Sequence, residues 1–112
     1  MGQLTTHVLD TSIGKPATGI LIELFDQEQK KLGEATTNND GRVDAPLLED
    51  EAFKAGTYTL VFHTTDYFEN LHGKASDFLN EVVIRFNVTK PDQHYHVPLL
   101  LSPYGYSTYR GS

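Results

Sequence analysis

Three histidines and one arginine are the side chains of this sequence best suited to acid–base chemistry. His7 lies near the start of the chain, His94 and His96 lie two residues apart near its end, and Arg42 follows an Asp-Gly pair. An imidazole with a pKa of about 6.5 can take and return a proton at neutral pH. A guanidinium stays charged and offers several donors to a carbonyl or an oxyanion. Spacing alone makes His7, Arg42 and His96 candidates, although a single strand histidine is more often a surface or interface residue.

The pair His94 and His96 also raises the question of a metal site. Side chains two apart on a strand point to the same face, so the two imidazoles could ligate one metal. No third ligand is evident beside them, and the sequence has no cysteine that could supply a thiolate. We therefore predict a site with no metal and no organic cofactor.

The segments that carry these side chains are short and alternate apolar with polar residues, which indicates an all-β fold. We expect strands at residues 4–10, 19–25, 31–37, 56–63, 81–89 and 94–102, a short return strand at 42–43 and a polar strand in the tail. About eight strands of this length predict a two-sheet β-sandwich.

Only one short helix is expected between these strands. Residues 65–71 fit it, with Thr65 as the cap and Tyr67, Phe68 and Leu71 on one stripe. Residues 47–54 are acidic and are expected to form a loop or a helical turn.

The period of two along a strand assigns each side chain to one of two faces. His7 then shares a face with Thr5 and Leu9, and His96 shares one with His94, Pro98 and Leu100. That mixture of polar and apolar residues predicts a subunit interface or a binding groove. The predicted core includes Ile20, Leu24, Leu60, Phe62, Val83, Val97, Leu99 and Leu101.

Composition limits the class of protein. A chain of 112 residues fits one domain over residues 1–112, and a formal net charge of −6 argues against non-specific nucleic-acid binding. No apolar run approaches the ~20 residues of a membrane span, and no secretory signal is evident. With no cysteine in the sequence, we expect a cytoplasmic protein.

The last eleven residues (SPYGYSTYRGS) are unusual for a chain terminus, because tails commonly carry dispensable polar residues. Alternating Tyr, Ser and Thr suit a strand that presents polar groups at a surface. The alternative is an edge strand with a loose end and no further role.

These segments together resemble the 5-hydroxyisourate hydrolases of the transthyretin-like family. The resemblance rests on residues 4–11 (LTTHVLDT), 14–17 (GKPA), 94–103 (HYHVPLLLSP) and 109–112 (YRGS), and it runs essentially end to end. The terminal YRGS is its most specific mark, because the hormone-carrying transthyretins share the fold and the LLSPY segment.

The resemblance implies a transthyretin-like sandwich and a homotetramer, a dimer of dimers with active sites in a channel between the dimers. It also implies a reaction, the hydrolysis of 5-hydroxyisourate in urate degradation. The family's catalytic residues fall on His7, Arg42 and His96. Its terminal motif falls on residues that would bind the small-molecule substrate: Tyr109, Arg110, Gly111 and Ser112.

Two other classes of protein share parts of this pattern. A transthyretin-style carrier would have non-basic or aliphatic residues at positions 7, 42 and 96 and would lack YRGS, so the sequence argues against it. A non-catalytic β-sandwich module, like the domains appended to carboxypeptidases, would account for residues 39–42 (NDGR) and 56–60 (GTYTL). Such a module would have no polar tail.

Overall fold

The computed structural model describes residues 2–73 and 76–111, and most of its elements are strands. The strands are β1 (Gln3–Asp10), β2 (Lys15–Pro16), β3 (Leu21–Phe25), β4 (Lys31–Thr36), β5 (Leu48–Glu49), β6 (Gly56–His63), β7 (Glu81–Val88), β8 (His94–Ser102) and β9 (Gly105–Thr108). The helical elements are a 3-10 turn (Asp50–Ala52) and the helix α1 (Thr65–His72).

The strands form two sheets, which confirms the all-β sandwich with one short helix. One sheet has the order β2-β1-β8-β9, with β5 paired to the start of β1, and the other has the order β4-β3-β6-β7. The pairing of β1 with β8 is parallel, and the other pairings are antiparallel. The two-residue strands β2 and β5 were not predicted, and the predicted return strand at 42–43 is only a single bridge between Arg42 and His7.

Alternating inward residues of both sheets form the core. On β8, Tyr95, Val97, Leu99 and Leu101 are buried as predicted. Val83 was wrongly predicted to lie in the core: it is 49% exposed, and Val82 and Ile84 point inward instead. Three consecutive apolar residues on β7 hide the period, so the pattern alone does not show which of them face the other sheet.

The helix α1 lies where it was predicted, but its cap is different. Thr64 is the N-cap residue, and Thr65 is the first helical residue, whose hydroxyl donates to the Asn80 carbonyl at 2.9 Å. Phe68 is fully buried and Tyr67 is half-buried, whereas Leu71 is 40% exposed and does not continue the predicted stripe.

The parallel pairing of β1 with β8 positions the candidate residues. Its register places Thr5 opposite His96 and Gln3 opposite His94, although about 90 residues separate the two strands in sequence. The edge strand β9 pairs antiparallel with β8, so the chain after it runs alongside His96. There Gly111 forms a β-bridge with His96.

Candidate active site

A hydrogen-bonded row of side chains lies on the outer face of β1 and β8. The Nδ1 atom of His7 lies 2.6 Å from Nε2 of His96, and Nδ1 of His96 lies 2.7 Å from the hydroxyl oxygen of Thr5. The same hydroxyl lies 2.6 Å from Nε2 of His94. The period of two puts Thr5 and His7 on one face of β1 and His94 and His96 on one face of β8. The parallel pairing of the two strands then brings all four side chains to the same surface.

A tight turn brings Arg42 to this row. The Asn38 side chain accepts hydrogen bonds from the backbone N–H groups of Asp40 and Arg42, which closes the turn. Gly41 adopts a φ of 72°, and its carbonyl accepts a hydrogen bond from the Val8 N–H at 2.8 Å. A Cβ at Gly41 would lie 2.4 Å from the Val8 carbonyl oxygen, so only glycine fits here. The bridge to His7 then places the Arg42 side chain beside that imidazole.

Burial and neighbouring charge keep the two central imidazoles neutral. Burial, together with the electrostatic effect of His7, Arg42 and His94, lowers the pKa of His96 to about 4. Burial and the Arg42 guanidinium also lower the pKa of His7. A charged form is disfavoured when an imidazole is desolvated beside a cation. Both rings are therefore neutral at pH 7 and can accept a proton.

The row lines an open pocket with a volume of about 440 Å³, which suits a small molecule. Arg42 is exposed at its rim, whereas His96 is only 8% exposed. The pocket is lined by Thr5, Thr6, His7, Arg42, Val43, His94, His96, Tyr109 and Gly111.

The C-terminal tail supplies one side of the pocket. The Gly111 N–H donates to the His96 carbonyl at 2.7 Å, which holds the backbone of the tail against β8. A Cβ at Gly111 would lie 2.8 Å from Cδ2 of His96, so the glycine packs directly on the imidazole. Tyr109 also lines the pocket and keeps 57% of its surface exposed.

The structure does not bring the Arg110 side chain to the other candidates. Its Nη2 donates to the Gln93 side chain at 3.1 Å and to the His94 carbonyl at 3.2 Å. Its guanidinium carbon lies 4.0 Å from the centre of the Tyr95 ring, a cation–π geometry. Ser112 lies outside the described residues.

The sequence did not identify Thr5 as part of the site. The signal was its position two residues before His7, which puts both side chains on one face. Within the described residues, no group of three or more His, Cys, Asp or Glu side chains is arranged to hold a metal ion. In the same part of the chain, no helix is long and apolar enough to cross a membrane.

Known proteins match this chain over almost all of its length. The model of the HIUase/Transthyretin family matches residues 4–111. The 5-hydroxyisourate hydrolase 2 of Rhizobium meliloti is 55% identical over 116 residues, an alignment that covers 99% of this chain and 97% of that protein.

Solved structures agree with these matches. A 5-hydroxyisourate hydrolase from Klebsiella pneumoniae superimposes with a TM-score of 0.86 at 37% identity, covering 100% of both chains. Sea bream transthyretin in complex with thyroxine superimposes with a TM-score of 0.86 at 25% identity, covering 97% of this chain and 94% of that one. The transthyretin-like sandwich is therefore confirmed, and the chain belongs to the HIUase/Transthyretin family.

Proposed function

We propose that this chain hydrolyses 5-hydroxyisourate, the product of urate oxidation, to 2-oxo-4-hydroxy-4-carboxy-5-ureidoimidazoline. The observation that carries the proposal is the contact of 2.6 Å between two neutral imidazoles, His7 and His96, with Arg42 beside them in one pocket. Relatives about half identical over the full chain bear the name 5-hydroxyisourate hydrolase, which supports the same substrate.

In the proposed reaction, His7 acts as the general base. Its Nδ1 is occupied by His96, so Nε2 is the nitrogen that takes a proton from water. The water oxygen bonds to a ring amide carbon, the carbon–nitrogen bond then breaks, and the leaving nitrogen takes a proton. An imidazole suits both proton transfers, and a positioned acid–base group contributes about 10²–10⁴-fold to rate.

Arg42 binds the carbonyl oxygen on which negative charge develops. Its guanidinium takes part in no ion pair among the residues that the structure describes, so its donors are available to a substrate. Donors aimed at such an oxyanion are worth on the order of 10²–10³ in kcat. Tyr109 covers the pocket and limits it to a small ring.

The working enzyme is a homotetramer, a dimer of dimers, in this proposal. The site lies on the outer face of its sheet, in an open pocket that the exposed Tyr109 lines. A second copy facing this sheet would enclose the pocket and exclude bulk water while leaving room for the reacting water, which strengthens electrostatic stabilisation. The cytoplasmic location stays a prediction that cell fractionation tests.

The test is a direct assay of the unstable substrate. Urate oxidase generates 5-hydroxyisourate from urate, and its absorbance decay is followed with the protein, without it and with the His7→Ala variant. We expect the parent protein alone to accelerate the decay, and to do so equally after treatment with a chelator. A carrier or a non-catalytic module would leave the decay unchanged. Loss of activity on chelation, restored by one metal, would contradict the prediction that no cofactor is needed.

A further inference from the structure

The Thr5 hydroxyl is the one group that joins the three histidines of the described site. It lies 2.6 Å from Nε2 of His94 and 2.7 Å from Nδ1 of His96. His96 in turn lies 2.6 Å from Nδ1 of His7. We propose that Thr5 is a positioning residue that sets the tautomers of His96 and His7 and completes a proton path from the pocket to His94.

A continuous row, in which Thr5 accepts from one histidine and donates to the other, has only two arrangements of protons. Each neutral imidazole carries one N–H, and a hydroxyl has one proton to donate. If His96 carries its proton on Nδ1, it donates to Thr5, Thr5 donates to Nε2 of His94, and His7 must donate from Nδ1. If His96 carries its proton on Nε2, every hydrogen bond in the row reverses. In such a row all three histidines share one tautomer, either Nδ1–H or Nε2–H.

The two arrangements match the two proton transfers of hydrolysis, so this inference rests on the proposed function. With Nδ1–H rings, Nε2 of His7 has a free electron pair and takes the proton of the attacking water. Each hydrogen bond of the row then passes its proton on toward His94, and the extra proton leaves from Nδ1 of His94. With Nε2–H rings, His7 donates its proton to the leaving nitrogen as the carbon–nitrogen bond breaks. His94 takes a proton from solvent, and the first arrangement returns.

The exposure of the three imidazoles supports a path that ends at His94. His96 is only 8% exposed, so a positive charge that rests there is poorly solvated. His94 is exposed and can exchange protons with solvent.

The matched variants are Thr5→Val, which has nearly the same shape without the hydroxyl, and Thr5→Ser, which keeps the hydroxyl. Partners that orient a metal-binding histidine are typically worth about 10–100-fold in metal affinity or activity, and we take the same range for Thr5 because it orients His96 in the same way. We expect Thr5→Val to lose kcat by about this factor with little change in KM, and Thr5→Ser to keep most of the activity. Equal activity of Thr5→Val and the parent, or equal losses in both variants, would overturn the proposal.

Nitrogen NMR of the histidine rings tests the same inference without a variant and without turnover. In the parent protein at pH 7.5, His7, His94 and His96 should show one shared tautomer or one common mixture. Thr5→Val should uncouple His94 from the other two. Protons found on both Nδ1 of His96 and Nε2 of His94 would contradict the single row. If the parent fails to hydrolyse 5-hydroxyisourate, the proposed function fails, while the NMR result still decides whether the row exists.

Discussion

Replacing Gly111 with alanine should disable the site by displacing His96. The new Cβ would lie 2.8 Å from Cδ2 of His96, whereas ordinary van der Waals contact begins at 3.4 Å. The ring or the tail must therefore retreat by about 0.6 Å. The tail is held by the hydrogen bond from the Gly111 N–H to the His96 carbonyl, and the ring is held at both nitrogens.

A displacement of this size is large on the scale of catalysis. The bonds from His96 to Thr5 and His7, now 2.7 and 2.6 Å, would lengthen beyond good hydrogen-bond geometry. A misplacement of ~1 Å can cost about 10²-fold in rate. We expect Gly111→Ala to lower kcat by about 10–100-fold. Its melting temperature should change little, because the tail adds no residue to the buried core.

The assay is initial-rate hydrolysis of 5-hydroxyisourate, with melting and sedimentation measured in parallel. Gly105→Ala is the matched control, since the atom nearest to its new Cβ is the Ser102 hydroxyl at 3.9 Å. It should keep parental activity. Full activity of Gly111→Ala would refute this reasoning. Loss of activity in parallel with dissociation of the assembly would also refute it, because the tail would then act through subunit contacts.

His7→Ala and His96→Ala should each lower turnover by about 10²–10⁴-fold with the fold intact by circular dichroism. His94→Ala should do much less, because water can replace this exposed ring beside Thr5, and equal losses at positions 94 and 96 would contradict the assigned register. Removal of residues 110–112 should abolish most activity and leave a folded tetrameric sandwich. If sedimentation shows that activity is lost together with the tetramer, the tail acts by stabilising the assembly and not by binding substrate. Activity should persist below pH 6.5 and fall as pH drops through the lowered pKa of His7, because protonation removes the base. The free energy of unfolding should decrease from pH 6.5 toward pH 4, where the unfolded chain binds protons that folded His96 does not. Replacing His96 with glutamine should flatten that decrease, and a stability independent of pH in the parent would count against a buried neutral imidazole.

Local sequence patterns alone show which side chains share a face on each strand. Adjacent strand residues point to opposite sides whatever the strand pairs with, so the face of His94 and His96 and the buried face of Tyr95 and Val97 follow from local geometry. Turn chemistry is also local: an Asp-Gly pair precedes Arg42, and Gly41 adopts the positive φ that the turn there requires. The β-sandwich and the helix position follow from patterns of this kind, whereas the family resemblance rests on matching segments of sequence.

How these faces meet depends on the pairing of distant strands. His7 and His96 are 89 residues apart, and only the parallel register of β1 with β8 brings their nitrogens within 2.6 Å. The same register gives Thr5 its place between two histidines. The interior position of Val82 rather than Val83 depends in the same way on how β7 pairs with β6.

In the tail, the strand can be predicted from the sequence but the contacts of single residues cannot. Its strand pattern could be seen in the sequence, and β9 forms as expected. The sequence does not show that Arg110 turns to the Tyr95 ring or that Gly111 packs on His96. Side-chain direction at the end of a chain depends on which distant surface it lies against. Long-range pairing depends on the whole chain. A local pattern can therefore identify candidate site residues, but it cannot show which of them lie in contact.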